Sequence, residues 1–203
     1  MKLPEPAHQA APWIDGWYQI AHRLPSPNCG ARPIAAEVDL IVLHSISLPP
    51  GQYGGDNVQR LFTNRLDWNA HPYFKSIQDL QVSSHFYIRR DGELWQFVSA
   101  NQRAWHAGVS SYRGRTDCND RSIGIELEGA EDERFEDHQY DALAGLCRAI
   151  LQRYPIKHIA GHEHIAPGRK TDPGPGFDWP RLQQSVALAA QCFPDHRLPK
   201  DAG

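Results

Sequence analysis

Two short apolar runs, Val38 to Leu43 and Ile159-Ala160-Gly161, each lead directly into a histidine, His44 and His162. Runs of this length and character read as buried strands of a sheet. Each imidazole then projects from the end of a buried strand. A third group, Asp172, lies in a proline-rich loop, where Pro173 clashes with a helical residue before it and drives Asp172 toward extended backbone. Residues two apart in an extended stretch point the same way, so Lys170 faces the space that Asp172 faces.

Two imidazoles and one carboxylate make three of the four ligands of a tetrahedral zinc, each roughly 2.0–2.2 Å from the ion, with one position left for water. An ammonium beside a metal-bound carbonyl oxygen suits a reaction whose transition state gathers negative charge on oxygen. Competing explanations stand beside this one. Eleven histidines in 203 residues give many chances for accidental pairs. His162-Glu163-His164, alternating on a strand, would put both rings on one face, a pattern that solvated edges also show. Lys170 with Asp172 also fits a surface ion pair worth only ~0–1 kcal/mol. Spacing alone leaves the zinc centre and these alternatives open.

The rest of the chain supplies the elements that such a sheet needs. Trp13 to Leu24 reads as a short element before a Pro25-Ser26-Pro27-Asn28 turn. Ser84 to Arg89 and Leu94 to Val98 flank Asp91-Gly92, a strong hairpin signal. Ile123, Ile125 and Leu127 alternate with Gly124, Glu126 and Glu128, so both glutamates share one face of a strand. The strand period alone does not separate their roles, and a solvated strand face accounts for either. Helical spacing of apolar residues predicts a helix over Asp137 to Arg153, stopped by Pro155. It predicts a second after the N-cap Asp178, with Leu182, Val186, Ala189, Ala190 and Phe193 on one stripe, and a shorter one over Val58 to Leu66. The mixture of hairpin, strands and helices gives an α/β or α+β single-sheet fold, taken as α/β, in a single domain spanning residues 1–203, with its core at about 17–193 and flexible tails at 1–12 and 194–203. Two long connections, Pro49 to Asp56 and Ala100 to Arg121, have the length of lids or binding loops. Tyr73, Trp105 and Tyr112 are candidate sugar or peptide contacts, with core packing an equal alternative.

Composition removes several function classes. The net charge is −3, and the basic residues are dispersed rather than clustered, unlike the footprint of a nucleic-acid binder. No stretch approaches the ~20 apolar residues of a membrane span, and Met1 to His8 lack the apolar region of a secretory signal, which points to the cytoplasm and to no membrane partner. Cys29, Cys118, Cys147 and Cys192 lie far apart and read as free thiols.

Four stretches carry a resemblance to a known family. They are Val42-Leu43-His44-Ser45-Ile46-Ser47-Leu48-Pro49-Pro50-Gly51, Arg103-Ala104-Trp105-His106-Ala107-Gly108, Ser122-Ile123-Gly124-Ile125-Glu126-Leu127-Glu128-Gly129, and Gly161-His162 through Asp172-Pro173-Gly174-Pro175. In this order, over about Trp17 to Trp179, the chain resembles the AmpD-type amidases. These are cytoplasmic 1,6-anhydro-N-acetylmuramyl-L-alanine amidases of peptidoglycan recycling, within the type 2 amidase and peptidoglycan-recognition superfamily. The resemblance implies a central mixed sheet with packed helices and Zn2+ held by His44, His162 and Asp172. It also implies catalytic roles for Glu126 and Lys170, with Glu126 preferred to Glu128, and no ligand role for His164. Ser45 departs from the family, whose members usually carry asparagine there. A hydroxyl is shorter and lacks the paired donor and acceptor of a carboxamide, which bears on substrate preference.

The implied substrate is an anhydromuropeptide, small and acidic, which needs a local positive pocket. The implied state is a monomer. His106 and His85 are candidate substrate contacts or partners of the metal-bound rings, with ordinary hydrogen-bonded histidines the commoner outcome. Two other functions fit the same fold: a metal-free peptidoglycan-binding module, and an endolysin-like amidase acting on polymeric cell wall. A binder can lose a zinc ligand without cost, whereas all three positions are intact here.

Overall fold

The computed structural model describes residues 12–194, so the expected tails at 1–12 and 194–203 lie almost wholly outside the described residues. Its centre is a six-stranded sheet. In chain order the strands are β1 (His22–Arg23), β2 (Leu40–Ile46), β3 (Phe86–Ile88), β4 (Leu94–Gln96), β5 (Ser122–Glu128) and β6 (His158–Gly161), arranged in space as β6-β2-β5-β3-β4-β1. β6, β2, β5 and β3 run parallel, β4 returns antiparallel to β3 through the Asp91-Gly92 turn, and β1 lies parallel to β4. The sheet is therefore mixed, as expected.

Burial on both faces explains why β2 opens as a continuous apolar run, and β5, which alternates Ile123, Ile125 and Leu127 with Gly124, Glu126 and Glu128, is buried throughout as well. One face carries Ile41, Leu43, Phe86, Ile88, Ile123, Ile125, Leu127 and Ile159. These pack against Leu143, Leu146, Cys147 and Ile150 of helix α3 (Asp137–Arg153) and Leu182 of helix α5 (Trp179–Ser185). Burying side chains of this size contributes roughly 1.5–3 kcal/mol each, so the α3 interface holds most of the core. Gln139 of α3, fully buried, donates to the carbonyls of Glu128 (3.0 Å) and Ile88 (3.3 Å), fastening the helix to the ends of two strands.

The opposite face is shared. Tyr87 meets α1 (Asn57–Phe62) and α2 (Pro72–Ser76) through Leu61, Phe62 and Phe74. Leu40, Val42 and Ala160 are covered by Ala107, Tyr112, Cys118, Ile165 and Ala166. Ala100 to Arg121 is thus no open loop. It carries two-residue strands at Arg103–Ala104, Ser111–Tyr112 and Arg115–Thr116 and a 3-10 turn at Cys118–Asp120. Asp39 interrupts the apolar run before β2 because it is buried against Arg121, with Arg115 at 2.5 Å on its other oxygen.

Several boundaries differ from the sequence reading, and the hairpin strands shorten from Ser84–Arg89 and Leu94–Val98 to Phe86–Ile88 and Leu94–Gln96. α1 ends at Phe62 rather than Leu66, and Asn64 takes a positive φ of 56°. α5 ends at Ser185, whose hydroxyl donates to the Arg181 carbonyl at 2.9 Å while Arg148 takes the Ser185 carbonyl. Such back-bonding competes with the helical ladder, and Val186 is extended, although Val186 and Phe193 still reach the core. β2 runs two residues beyond His44, so that imidazole stands within the strand rather than at its end.

Candidate active site

The parallel strands deliver their side chains to the carboxyl end of the sheet, where open α/β sheets place their ligands. His44 lies directly opposite Glu126 across the β2–β5 ladder, and directly opposite residues share a face. Gly161 of β6 is opposite Leu43, so His162 emerges one position further, beside His44. It is the first residue of a short helix, α4 (His162–Ile165), not of a strand extension. The helical turn carries His164 away from His162, and His164 Nδ1 accepts from the Gly161 N–H at 3.0 Å. The alternating-strand reading of these two histidines therefore fails.

Three side chains converge. His44 Nδ1 is 3.0 Å from both His162 Nδ1 and Asp172 Oδ2, and His162 Nδ1 is 3.2 Å from the same oxygen. All three residues are buried, and together they form a group that can hold a metal ion. Burial lowers the His44 pKa to about 4 against the pull of Asp172. Burial would raise the Asp172 carboxyl, but its close contacts with His162 and His44 outweigh it and hold the group well below the usual carboxylate range. The Asp172–Pro173 peptide is cis.

Glu126 is 9% exposed, and its Oε2 is buried with no hydrogen-bond partner. Burial pushes its pKa well above the ordinary value, Asp172 pushes the same way, and Lys170 opposes. Glu128 differs in kind. Its two oxygens accept from Gly54 N (2.6 Å) and Arg90 N (3.1 Å), so this carboxylate tethers the 49–56 loop and the hairpin. Both glutamates are buried, which removes the solvated-face explanation.

A cleft of about 510 Å³ opens over the trio, lined by His44, Glu126, His162, Lys170 and Asp172, with Ser45, Tyr73, Ile77, Leu80 and the 129–132 segment around them. Such a volume suits a ligand of several residues or sugars. Of the three candidate aromatics, Tyr73 lines the cleft. Tyr112 packs beneath the sheet, and Trp105 is half-buried away from the lining. Four lining carboxyl groups, Glu126, Glu131, Asp132 and Asp172, accompany one ammonium, Lys170. The described residues therefore do not form the local positive pocket expected for an acidic substrate.

The walls of the cleft are tied to the Asp172 loop. Gly176 N donates to the Glu131 carbonyl at 2.8 Å, and a Cβ on Gly176 would lie 1.9 Å from the Glu133 carbonyl oxygen. Only glycine admits a backbone approach this close.

A mixed sheet with a His-His-Asp centre at its carboxyl edge defines a class. The N-acetylmuramoyl-L-alanine amidase family model matches residues 34–175, and the chain belongs to that family. Within it, the chain is similar to the 1,6-anhydro-N-acetylmuramyl-L-alanine amidase AmpD of Escherichia coli (strain K12), 52% identical over 85% of this chain and 95% of that one. A crystal structure of a selenomethionine AmpD derivative superposes with a TM-score of 0.83 at 53% identity, covering 85% of this chain and 98% of that one. The complex of the amidase AmiD from E. coli with the substrate anhydro-N-acetylmuramic acid-L-Ala-D-gamma-Glu-L-Lys gives a TM-score of 0.56 at 32% identity. It covers 79% of this chain and 63% of that one.

Proposed function

We propose that this enzyme is a zinc amidase that hydrolyses the amide between the lactyl group of N-acetylmuramic acid, in its 1,6-anhydro form, and the L-alanine of a muropeptide. Its place of action is the cytoplasm, on fragments released during peptidoglycan recycling, and it works as a monomer. The identity to AmpD supports the reaction and the substrate. No helix of the described residues is long and apolar enough to cross a membrane.

The observation that carries the reading is the convergence of His44 Nδ1, His162 Nδ1 and Asp172 Oδ2 beside the unpartnered Oε2 of Glu126. Ligands about 2.0–2.1 Å from a tetrahedral zinc stand about 3.3 Å apart, close to the 3.0–3.2 Å separations of these atoms. His162 Nε2 lies 3.1 Å from the Ala107 carbonyl, which can only accept, so the ring proton sits on Nε2 and Nδ1 offers its lone pair. The donor set fits zinc.

Zinc supplies Lewis acidity that polarises an amide carbonyl and acidifies water. Glu126 takes the proton from the attacking water and passes it to the departing alanine nitrogen. Burial favours its neutral form and the Lys170 ammonium its ionised form, so the group is placed to accept a proton and release it again. Lys170, on the cleft lining, holds positive charge toward the oxygen that becomes anionic. Tyr73 and Leu80 offer apolar surface to the sugar or the peptide.

The test is mass-balanced product release from an anhydromuropeptide by zinc-loaded protein, measured by chromatography and mass spectrometry. Equimolar anhydro-N-acetylmuramic acid product and L-alanyl peptide are expected, and chelation should abolish both. Binding without cleavage would make the chain a peptidoglycan-binding module. Faster cleavage of intact sacculi would make it an endolysin-like amidase.

A further inference from the structure

The structure surrounds the convergent trio with a second set of contacts that begins at one dipeptide, His106-Ala107. His106 Nδ1 lies 2.9 Å from His44 Nε2. The far nitrogen, His106 Nε2, lies 3.1 Å from the Ser122 hydroxyl oxygen. That hydroxyl has a single proton, donated to the Cys118 carbonyl at 2.6 Å, so toward His106 it can only accept. A neutral His106 must then carry its proton on Nε2 and leave Nδ1 as an acceptor. His44 consequently donates from Nε2 and turns the lone pair of Nδ1 toward Asp172.

The neighbouring residue does the same for the other imidazole, because the Ala107 carbonyl takes the proton of His162 Nε2. The two peptide groups are themselves held: Asn119 Oδ1 accepts from His106 N (3.1 Å) and Ala107 N (2.8 Å). Arg32 donates to the carbonyls of Asn119 (3.1 Å), Asp120 (2.9 Å) and Ser122 (2.8 Å), which fixes the turn that carries both Asn119 and Ser122. The His106 ring lies flat enough on β5 that a Cβ at Gly124 would meet its Cγ at 2.6 Å. Position and proton are therefore both determined from outside the trio.

We propose that His106 and Ala107, clamped by Asn119, are the positioning element of the metal centre, committing both imidazoles to the tautomer that presents Nδ1. This rests on the zinc reading above. His106 borders the cleft but acts on the trio through His44, and it is not one of the three convergent groups. Outer partners of ligating histidines typically govern metal affinity by 10–100-fold.

Two substitutions separate this role from simple packing. Asn at position 106 can place an oxygen acceptor near the site of Nδ1 but fills the space poorly, whereas Leu fills the space and accepts nothing. Zinc affinity of the full chain, read by competition with a chromophoric chelator, is expected to fall 10–100-fold in His106→Leu and to stay within about threefold in His106→Asn. Ring-nitrogen NMR of the metal-free protein should show His44 protonated on Nε2 in the wild type. It should show mixed tautomers in Ser122→Ala, a small change that leaves the ring's packing intact. Wild-type affinity in His106→Leu, or weaker binding by His106→Asn than by His106→Leu, would overturn the proposal, as would an unchanged His44 tautomer in Ser122→Ala. Failure of the wild type itself to bind zinc would instead overturn the metal reading.

Discussion

Gly124→Ala perturbs the site without touching any candidate ligand. A Cβ there would stand 2.6 Å from His106 Cγ, 2.7 Å from Nδ1 and 2.8 Å from Cδ2. Ordinary contact begins at 3.4 Å, so the ring has to retreat by about 0.8 Å. The backbone cannot yield instead, because Gly124 is paired with Val42 in the parallel ladder and its N–H donates to His85 Nδ1 at 3.0 Å. Overpacking of a tight interior costs about 1–3 kcal/mol, and loosening the bond to His44 adds about 0.5–1.5 kcal/mol. Alanine recovers about 0.5–1 kcal/mol over glycine in a strand. A net loss of about 0.5–4 kcal/mol lowers the melting temperature by roughly 1–16 °C for a chain of this size. The assay is thermal unfolding of four proteins: wild type, Gly124→Ala, His106→Ala and the double variant. With the ring removed the added methyl has room, so Gly124→Ala should be neutral or stabilising in the His106→Ala background. Equal destabilisation in both backgrounds would refute the steric argument.

Glu126→Gln is expected to bind zinc as the wild type does while turnover drops by about 10²-fold or more; near-normal turnover removes Glu126 from the mechanism. Lys170→Met should lower kcat by about 10²–10³, or ~2.7–4 kcal/mol of barrier, with zinc content unchanged by elemental analysis. Stability of the metal-free protein should decline as the pH is lowered. Burial, then the Arg32 charge, pushes His85 down to about 3, and burial lowers His44 to about 4. Folded values below the unfolded ~6.5 mean that this stability is present above pH ~6.5 and is lost as the pH falls toward those values. Melting temperatures measured from pH 7.5 to 4 check it, and a flat profile contradicts it.

Much of the fold was legible because its strongest patterns are local. α3 occupies Asp137–Arg153 as its 3.6-residue period and Pro155 predict, and the Asp91-Gly92 hairpin pairs as its turn chemistry requires. The apolar stripe overextends α5 because Val186 and Phe193 keep helical spacing while reaching the core from non-helical backbone. Burial of those side chains, not the period, decides their place. Spacing alone leaves the candidate trio open, since strand pairing brings His162 beside His44 across 118 residues and Asp172 reaches them from a loop 128 residues beyond His44. Glu126 and Glu128 were indistinguishable by strand period, and separate only because Gly54 and Arg90 occupy the oxygens of Glu128. The contact of His106 with His44 leaves one mark in the sequence. A glycine inside an otherwise well-formed strand, Gly124, marks the close approach of another group.

The close backbone seam between residues 174–176 and 131–133 reaches beyond this one molecule. One side of it bears Asp172 two positions away, and the other borders the opening through which a substrate enters. Lengthening either loop alone would pry the carboxylate from its companions, so variation in recognition has to arrive as matched changes on both flanks. Anyone transplanting specificity between relatives should move these two segments as a single cassette.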